Sequence, residues 1–272
     1  MIVFPNCKIN LGLNILRKRD DGFHDLETVF FPINFREALE VIGNPSGHSD
    51  TEFTASGLKV DGSSSDNLCI KAYQLLKKDI PQLAAVKIHL HKTIPTGAGL
   101  GGGSADAAFM LKLLNDKFNL NLSTPQLLNY SLQLGSDCPF FIINKPCFAT
   151  GRGEKLEEIL LDLSPYRIVL LNPNIHVNTG WAFSQISPSL PKRNIKEIVS
   201  QPVSTWKDEL KNDFEEAVFA AHPQIKIIKE DLYRQGALYA AMSGSGSTVF
   251  GIFDKATPVG LFGNDYFKKI IN

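Results

Sequence analysis

Alternation of apolar and polar residues is the first regular pattern along the chain. From Ile9 to Ile15 every second residue is apolar, and the residues between them are polar or glycine, which is the period of a strand with one buried face. We therefore predict a strand over residues 2–17, in which Lys8 and Asn10 share the polar face and would ordinarily contact solvent. Similar patterns predict further strands at residues 26–35, 38–42, 51–58, 85–94 and 166–171.

Apolar residues at helical spacing mark the other regular segments. They predict helices over residues 67–79, 105–114, 124–134, 206–220 and 223–234. The polar residues 61–66 and the Ser- and Pro-rich residues 187–204 are predicted to be loops. A chain of 272 residues fits one large domain or two modest ones. We place a boundary near residue 160, between residues 1–160 and 161–272.

A glycine-rich stretch at residues 95–104 joins a predicted strand to a predicted helix, with five glycines between residues 97 and 103. Glycines let successive backbone N–H groups turn toward one point. The following helix, which Ser104 could cap, adds partial positive charge there. This combination predicts a phosphate-binding loop. A flexible Gly/Ser linker is the alternative, but patterned apolar segments adjoin both ends of the stretch.

Two well-known types of phosphate loop do not fit this stretch. The glycine spacing from Gly97 to Gly102 matches the dinucleotide fingerprint, which requires a second strand after the helix. Here residues 115–122 lead into another predicted helix instead. A Walker A loop requires a lysine before its Ser or Thr, whereas Gly103 precedes Ser104.

Charge and composition exclude several classes of partner. Lys and Arg together number 28, as do Asp and Glu, so no overall field attracts nucleic acid or an anionic membrane. The sequence has no apolar run of the roughly 18 residues needed to span a membrane and no signal-peptide core. Its four cysteines show no C-x-x-C spacing. We therefore expect a soluble cytoplasmic protein with reduced thiols.

Histidines and hydrolase motifs give little support for other chemistry. His89 and His91 share a strand face and could bind a metal ion. No third ligand has matching spacing, so an exposed face is the preferred interpretation. The motifs H-E-x-x-H and G-x-S-x-G are absent, which argues against a zinc hydrolase and a serine esterase.

Several polar or aromatic positions are candidates for function, each with a structural alternative. Asn67 starts a predicted helix and could simply cap it. Asp137 lies two residues before Pro139 and could cap a helix or turn the chain. Phe183 lies one helical turn from Thr179 and could belong to the core.

Residues 95–104 resemble the second signature motif of the GHMP kinases, a family of ATP-dependent small-molecule kinases. Lys8-x-Asn10, Gly135-x-Asp137 and a second glycine loop at residues 243–248 occur in the order found in this family. The resemblance implies an α+β fold in two lobes: an N-terminal ATP-binding lobe and a C-terminal lobe with the third signature, with the substrate between them. The ATP-binding residues that it implies are Pro95, Gly97, Gly99, Leu100, Gly101, Gly102, Gly103, Ser104 and Asn67.

The same resemblance implies a mechanism. Backbone N–H groups of residues 99–104 would hold the phosphates of ATP, with Mg²⁺ bridging them through ligands that the sequence does not identify. Asp137 stands where these kinases carry a catalytic aspartate, which takes the proton of the attacking hydroxyl. Lys8 would lower the pKa of that hydroxyl and orient Asp137.

One branch of the family is implied by the run Arg19-x-Asp21-Gly22-Phe23-His24, although that branch more usually has Tyr where Phe23 stands. By this resemblance the acceptor is the 2-hydroxyl of 4-diphosphocytidyl-2-C-methyl-D-erythritol, on the non-mevalonate route to isoprenoid precursors. The substrate-binding residues that it implies are Asn10, Phe23, His24, Thr179, Phe183, Gly244 and Gly246.

Two alternatives stay open at this point. A homoserine, mevalonate or galactose kinase of the same family would share the glycine loops but has no reason to carry the run from Arg19 to His24. A catalytically silent nucleotide-binding module would be expected to lack Lys8 or Asp137, and both are present. We expect a monomer or weak homodimer. The Ala-rich helix that usually ends the family fold is interrupted here by Pro258, Gly260 and Gly263.

Overall fold

Two units make up the part of the chain that the structure, a computed structural model, describes: residues 1–44, 51–59, 66–260, 262 and 266–272. The first unit comprises Met1–Cys7, Asn34–Thr96 and Gly101–Asn144. The second unit comprises Lys8–Ile33, Gly97–Leu100 and Lys145–Asn272. Because these segments alternate along the chain, the predicted boundary near residue 160 stays a prediction.

Helices and strands are mixed along the described residues, which confirms the predicted α+β class. The strands are β1 (Ile2–Val3), β2 (Asn6–Lys18), β3 (His24–Arg36), β4 (Ala38–Gly43), β5 (Glu52–Gly57), β6 (Val86–Lys92), β7 (Cys147–Gly151), β8 (Lys155–Glu158), β9 (Tyr166–Asn172), β10 (Tyr239–Met242), β11 (Val249–Asp254) and β12 (Phe267–Ile271). The α-helices are α1 (Leu68–Asp79), α2 (Gly102–Lys117), α3 (Thr124–Leu134), α4 (Cys138–Ile143), α5 (Thr179–Ser184), α6 (Ile195–Val199), α7 (Trp206–Glu209), α8 (Phe214–Ala221) and α9 (Pro223–Arg234).

The first unit contains a sheet in the order β1-β4-β6-β5. β4 lies antiparallel to β1 and β6, while β5 runs parallel to β6. Alternate residues of the two central strands are buried, as the period of two predicts, among them Leu39, Val41, Ile88 and Leu90. The helix that follows the glycine loop supplies small and aliphatic buried side chains, including Ala105, Ala108, Leu111 and Leu114.

The second unit contains two sheets, and most of β2 and β3 belongs to it. In the described residues their strand orders are β2-β3-β7-β8 and β10-β11-β9-β12. β9 is antiparallel to both of its neighbours, and Val169 pairs with Gly251 on one side and Ile270 on the other. Its buried side packs with the apolar faces of α8 and α9, which include Phe214, Val218, Ile225, Ile228 and Leu232.

The predicted helix over residues 206–220 is wrong, because the chain leaves the helix after Glu209. Residues 211–213 pair with β2 instead: the Leu13 N–H donates to the Lys211 carbonyl at 2.8 Å and the Asp213 N–H donates to the Leu13 carbonyl at 2.9 Å. Asn212 then accepts from the Phe214 N–H at 3.0 Å, which helps to start α8. The apolar periodicity carried no sign of this long-range pairing.

Other boundaries agree with the sequence to different degrees. The helix predicted over residues 124–134 is confirmed with the same bounds. The predicted loop over residues 187–204 contains α6, which is capped by Asn194 and buries Ile195, Ile198 and Val199. The chain ends in β12 rather than a helix. Of the predicted loop at residues 61–66 only Asp66 lies within the described residues, and Gly263 lies outside them.

Within the described part of the chain, every helix is too short or too polar to span a bilayer.

Candidate active site

The glycine stretch begins a helix in the first unit, as predicted. α2 starts at Gly102, and the residue before it, Gly101, has a left-handed backbone with φ of 70°. The first-turn N–H groups of an α-helix have no acceptor within the helix, so this end suits an anion. The prediction that Ser104 caps the helix is wrong: the cap position needs a backbone that only glycine adopts readily, and Ser104 lies inside the first turn.

Residues 97–100 of the same stretch belong to the second unit, where they contact the second glycine loop. The Ala98 carbonyl accepts from the Thr248 N–H at 3.2 Å, and the Leu100 carbonyl accepts from the Lys8 N–H at 2.9 Å. The backbone of Gly99 passes so close to Ser243 that a Cβ would lie 1.9 Å from its carbonyl oxygen. Within the second unit, the two glycine motifs and the predicted catalytic lysine are therefore neighbours.

Lys8 is buried, with 3% of its surface exposed. It therefore does not contact solvent, as a lysine on the polar face of a strand ordinarily would. Its Nζ donates to Asn10 Oδ1 at 2.5 Å and to the Gly99 carbonyl at 3.4 Å. The same ammonium lies 4.9 Å from the centre of the Phe30 ring. Burial costs a cation its hydration unless polar groups replace it, and here neutral acceptors and an aromatic face supply part of that replacement.

Asp137 occupies the N-cap position of α4 in the first unit, but its side chain makes no capping hydrogen bond. Asp137 therefore occupies the capping position that its structural alternative predicts, but its side chain does not cap the helix. Next to it, burial raises the pKa of the Cys138 thiol to about 12, and Ser104 hydrogen-bonds that thiol. The unit therefore brings the start of α4 to the start of α2.

Asn67 is a helix cap, as its structural alternative predicts. Its side chain accepts from the Cys69 N–H at 2.9 Å and caps α1. A role near the nucleotide stays a prediction.

The second glycine loop is held by buried amide side chains. Asn212 Nδ2 donates to the carbonyls of Met242 and Gly244, both at 2.8 Å. Gly244 and Gly246 have φ of 58° and 93°, which explains the glycines at these positions. Thr179 reaches the same loop through a 2.9 Å hydrogen bond between its hydroxyl and that of Ser245.

The predicted pair of aromatic residues is arranged differently from a simple sandwich. His24, and not Phe23, stacks on Phe183, with ring centres 4.9 Å apart and planes 17° apart. Phe183 also contacts the edge of Phe214 at 4.9 Å, so it touches the core as well. Phe23 is 53% exposed and packs against the Arg152 guanidinium at 4.6 Å. Desolvation, with a contribution from Lys18, lowers the pKa of His24.

One charged network in the first unit is absent from the sequence predictions. Lys92 Nζ donates to Glu37 at 2.6 Å and to Asp106 at 2.9 Å, and all three side chains are almost fully buried. The network adjoins the start of α2, because a Cβ on Gly102 would lie 3.2 Å from both Lys92 Nζ and Glu37 Oε1. Desolvation raises the pKa of Asp106 to about 7, opposed by Lys92.

The described residues contain no group of three His, Cys, Asp or Glu side chains that could hold a metal ion. His89 and His91 instead hydrogen-bond the hydroxyls of Thr54 and Ser56. A nucleotide-bound Mg²⁺ needs only one or two protein ligands besides phosphate oxygens and water. The described residues therefore form no separate metal cage, and the Ser104 hydroxyl in the first turn of α2 is an oxygen donor of the kind that Mg²⁺ takes.

Comparisons with known proteins agree with these local features. The family model described as GHMP kinases N terminal domain matches residues 67–145, and the one described as GHMP kinases C terminal matches residues 194–262. The 4-diphosphocytidyl-2-C-methyl-D-erythritol kinase of Bacteroides fragilis is 54% identical over 93% of this chain and 92% of its own. The protein of that name in Chlorobium limicola is 41% identical over 92% of this chain and 87% of its own.

Solved structures show the same likeness. A crystal structure of 4-(cytidine 5'-diphospho)-2C-methyl-D-erythritol kinase has a TM-score of 0.75 and 31% identity, covering 93% of this chain and 90% of that one. The homoserine kinase from Cytophaga hutchinsonii has a TM-score of 0.70 over 98% of this chain and 94% of its own. Its identity is only 13%, so that likeness concerns the fold alone.

Proposed function

The chain belongs to the GHMP kinase family, and from this premise we propose that it transfers a phosphoryl group from ATP to the 2-hydroxyl of 4-diphosphocytidyl-2-C-methyl-D-erythritol. Relatives that carry the name of this kinase cover nearly the whole chain. They confirm the branch predicted from the run between Arg19 and His24. Neither a sister kinase nor a silent module is favoured by these relatives.

The glycine turn that opens α2 is the observation that carries the proposal. Gly101 adopts the left-handed conformation that lets the chain enter the helix directly, and the first-turn N–H groups then face an incoming anion. Phosphoryl transfer depends on positioning and charge stabilisation more than on covalent chemistry. We propose that residues 99–104 hold the phosphates of ATP, together with Pro95, Gly97 and Asn67 at the borders of that site.

Lys8 supplies the positive charge in this proposal. Asn10 Oδ1 and the Gly99 carbonyl both accept from its Nζ, which holds the ammonium beside Gly99 of the proposed phosphate site. A positive charge at that position attracts an anionic group. We propose that Lys8 stabilises charge that develops as the hydroxyl attacks.

Asp137 is the proposed general base. A carboxylate can accept the proton of an attacking hydroxyl when it lies within hydrogen-bond reach of it. Its side chain makes no cap to α4, so the N-cap position does not by itself account for an aspartate here. The assignment rests on the family motif Gly135-x-Asp137.

Recognition of the cytidine end is assigned to Phe23, His24 and Phe183, with Thr179 and the Gly244–Gly246 loop beside them. Stacking on an aromatic face contributes about 1–3 kcal/mol per base. The 17° angle between the rings of His24 and Phe183 shows that this pair already presents parallel faces. A base could lie against either ring, and the polar edge of His24 would distinguish cytosine from other bases.

Mg²⁺ would enter with ATP and neutralise charge on the transferring phosphoryl group. Ser104, in the first turn of α2, is the protein oxygen that we assign to it. We further propose that the enzyme acts in the cytoplasm, as a monomer or weak homodimer and without a nucleic-acid or membrane partner.

A product assay tests the function directly. The protein is incubated with ATP and Mg²⁺ and, separately, with 4-diphosphocytidyl-2-C-methyl-D-erythritol, homoserine, mevalonate or galactose, and products are identified by mass spectrometry. We expect phosphorylation of the cytidine compound alone, at its 2-hydroxyl. Faster phosphorylation of another alcohol would assign the chain to a sister activity, and nucleotide binding without transfer would make it a silent module.

A further inference from the structure

The Asn10 side chain is bound at both ends within the second unit. Its Oδ1 accepts from Lys8 Nζ at 2.5 Å, and its Nδ2 donates to Thr28 Oγ1 at 3.1 Å. Lys8, Asn10 and Thr28 are 3%, 2% and 0% exposed, so water does not readily replace either contact. Asn10 therefore connects Lys8 to a threonine that no sequence motif singled out.

The Thr28 hydroxyl has only one way to pair with Asn10. It carries a single hydrogen, which it donates to the Gly12 carbonyl oxygen at 2.5 Å. A carbonyl cannot donate, so the Thr28 oxygen can only accept from Asn10. The amide NH₂ must therefore face Thr28, and the amide oxygen must face Lys8. The number of hydrogens that each group can donate is thus enough to distinguish the two possible orientations of the Asn10 amide.

Ser243 holds the backbone of the same residue. Its Oγ donates to the Gly99 carbonyl at 2.7 Å and accepts from the Asn10 N–H at 3.1 Å. Because Lys8 Nζ also reaches the Gly99 carbonyl, Ser243 ties Asn10 to the carbonyl that Lys8 contacts. One buried hydroxyl therefore orients the amide, and another holds its backbone.

We propose that Thr28 is a positioning residue for phosphoryl transfer, which orients the Asn10 amide so that its oxygen holds the Lys8 ammonium beside Gly99, with Ser243 supporting Asn10 from the backbone side. The inference rests on the proposed function of Lys8. Without the Thr28 hydroxyl the amide can turn over, and its NH₂ group then faces the ammonium. Lys8 then loses its hydrogen bond to Asn10 and moves from the position that the reaction requires.

Thr28→Val tests this inference, because it replaces the hydroxyl with a methyl group of similar size. A misplacement of about 1 Å in a catalytic group can lower the rate by about 100-fold, so we expect kcat to fall about 10- to 100-fold. The KM for ATP should change less than about twofold, because Thr28 is not assigned to nucleotide binding. Thr28→Ser, which keeps the hydroxyl, should retain kcat within about threefold of the wild type.

A double-mutant cycle with Asn10→Ala shows whether Thr28 acts through Asn10. If it does, Thr28→Val should lower kcat little further once Asn10 has been truncated. Ser131→Ala is the matched control: it removes an equally buried hydroxyl, which donates to the Leu128 carbonyl at 2.8 Å in the first unit. We expect it to leave kcat unchanged.

The outcomes separate the inference from the proposed function. If the wild type phosphorylates no cytidine substrate, the proposed function fails. If the wild type is active, three results would each refute the positioning role. Thr28→Val could keep kcat within threefold of the wild type, or Thr28→Ser could be as slow as Thr28→Val. The third is that the effects of Thr28→Val and Asn10→Ala on kcat multiply. Should Thr28→Val not fold, Ser243→Ala carries the same expectation, and an unchanged kcat in that variant overturns the proposal.

Discussion

Gly99→Ala is the substitution for which the structure gives the most direct expectation. The backbone of Gly99 has φ of +77°, and a Cβ there would lie 1.9 Å from the Ser243 carbonyl oxygen and 3.2 Å from that of Gly246. Real Cβ atoms essentially never approach other heavy atoms within 3.0 Å. The glycine stretch and the second glycine loop would therefore have to separate by more than 1 Å within the second unit.

The cost has two parts that can be separated. A left-handed backbone costs a non-glycine residue about 1–2 kcal/mol, and forcing extra volume into a packed site costs about 1–3 kcal/mol. We therefore expect Gly99→Ala to lower the free energy of unfolding by about 2–5 kcal/mol. At about 2–4 °C per kcal/mol for a chain of this size, the melting temperature should fall by roughly 4–20 °C. The same separation should weaken ATP binding, because Gly99 belongs to the proposed phosphate site.

Gly22→Ala is the matched control for backbone strain. Gly22 has φ of +83°, and a Cβ there would meet no atom within 4 Å. It should lower the free energy of unfolding by only about 1–2 kcal/mol. Urea unfolding of both variants, with calorimetric titration of ATP, makes the comparison. Equal loss of stability in the two variants, with ATP affinity unchanged in Gly99→Ala, would refute the steric reasoning.

Four further predictions concern the first unit's charges and the predicted substrate residues. Asp137→Asn should lower kcat by roughly 10²–10⁴-fold, as expected for loss of a general base, while calorimetry shows ATP still bound. Lys92→Met leaves the buried side chains of Glu37 and Asp106 without their cation and should lower the free energy of unfolding by about 3–5 kcal/mol. The contribution of Asp106 to the free energy of unfolding should fall as the pH rises from about 4 to about 7. Over that range Asp106 stays protonated when folded but ionises when unfolded, and urea unfolding of Asp106→Asn should show a flatter dependence. Phe23→Ala and Phe183→Ala should each raise the KM for the cytidine substrate by roughly 5- to 150-fold, but only Phe183→Ala should lower the melting temperature.

Each of these has an outcome that contradicts it. A kcat within threefold of the wild type would return Asp137 to a purely structural role. Wild-type stability in Lys92→Met would mean that the buried ion pairs contribute nothing. If the free energy of unfolding of Asp106→Asn depends on pH as steeply as that of the wild type, the titrating group is not Asp106. A melting temperature that falls while both KM values hold would make Phe183 a core residue only.

Motifs with strong local signals were predictable from the sequence. The glycines at 97–103 and 243–248 predicted two loops, and several of these glycines have positive φ in the structure. The apolar spacing over residues 124–134 bounded α3 correctly. Family and branch followed from short runs such as that from Arg19 to His24, and the relatives confirm both.

Long-range pairings were not predictable in the same way. The break after Glu209 depends on Leu13, some 200 residues away in the chain, and no local pattern announces it. The contact of Lys92 with Asp106 joins a strand to a helix across the glycine turn, and each residue alone resembles a solvated charge. Ser243 lies in the predicted glycine loop at residues 243–248, so the sequence pointed to it. Thr28 lies in an apolar strand, and nothing in the sequence marked it as a functional residue.

The division of the glycine stretch between two units bears on when the protein can work during its synthesis. Residues 97–100 are made well before their partners Ser243 and Thr248. Domains generally fold as units, and contacts between distant residues form slowly. A ribosome-bound chain that lacks residues 243–248 therefore cannot hold this part of the glycine stretch as the structure has it. The nucleotide binding that we propose for this stretch would then begin only after residues 243–248 have been made.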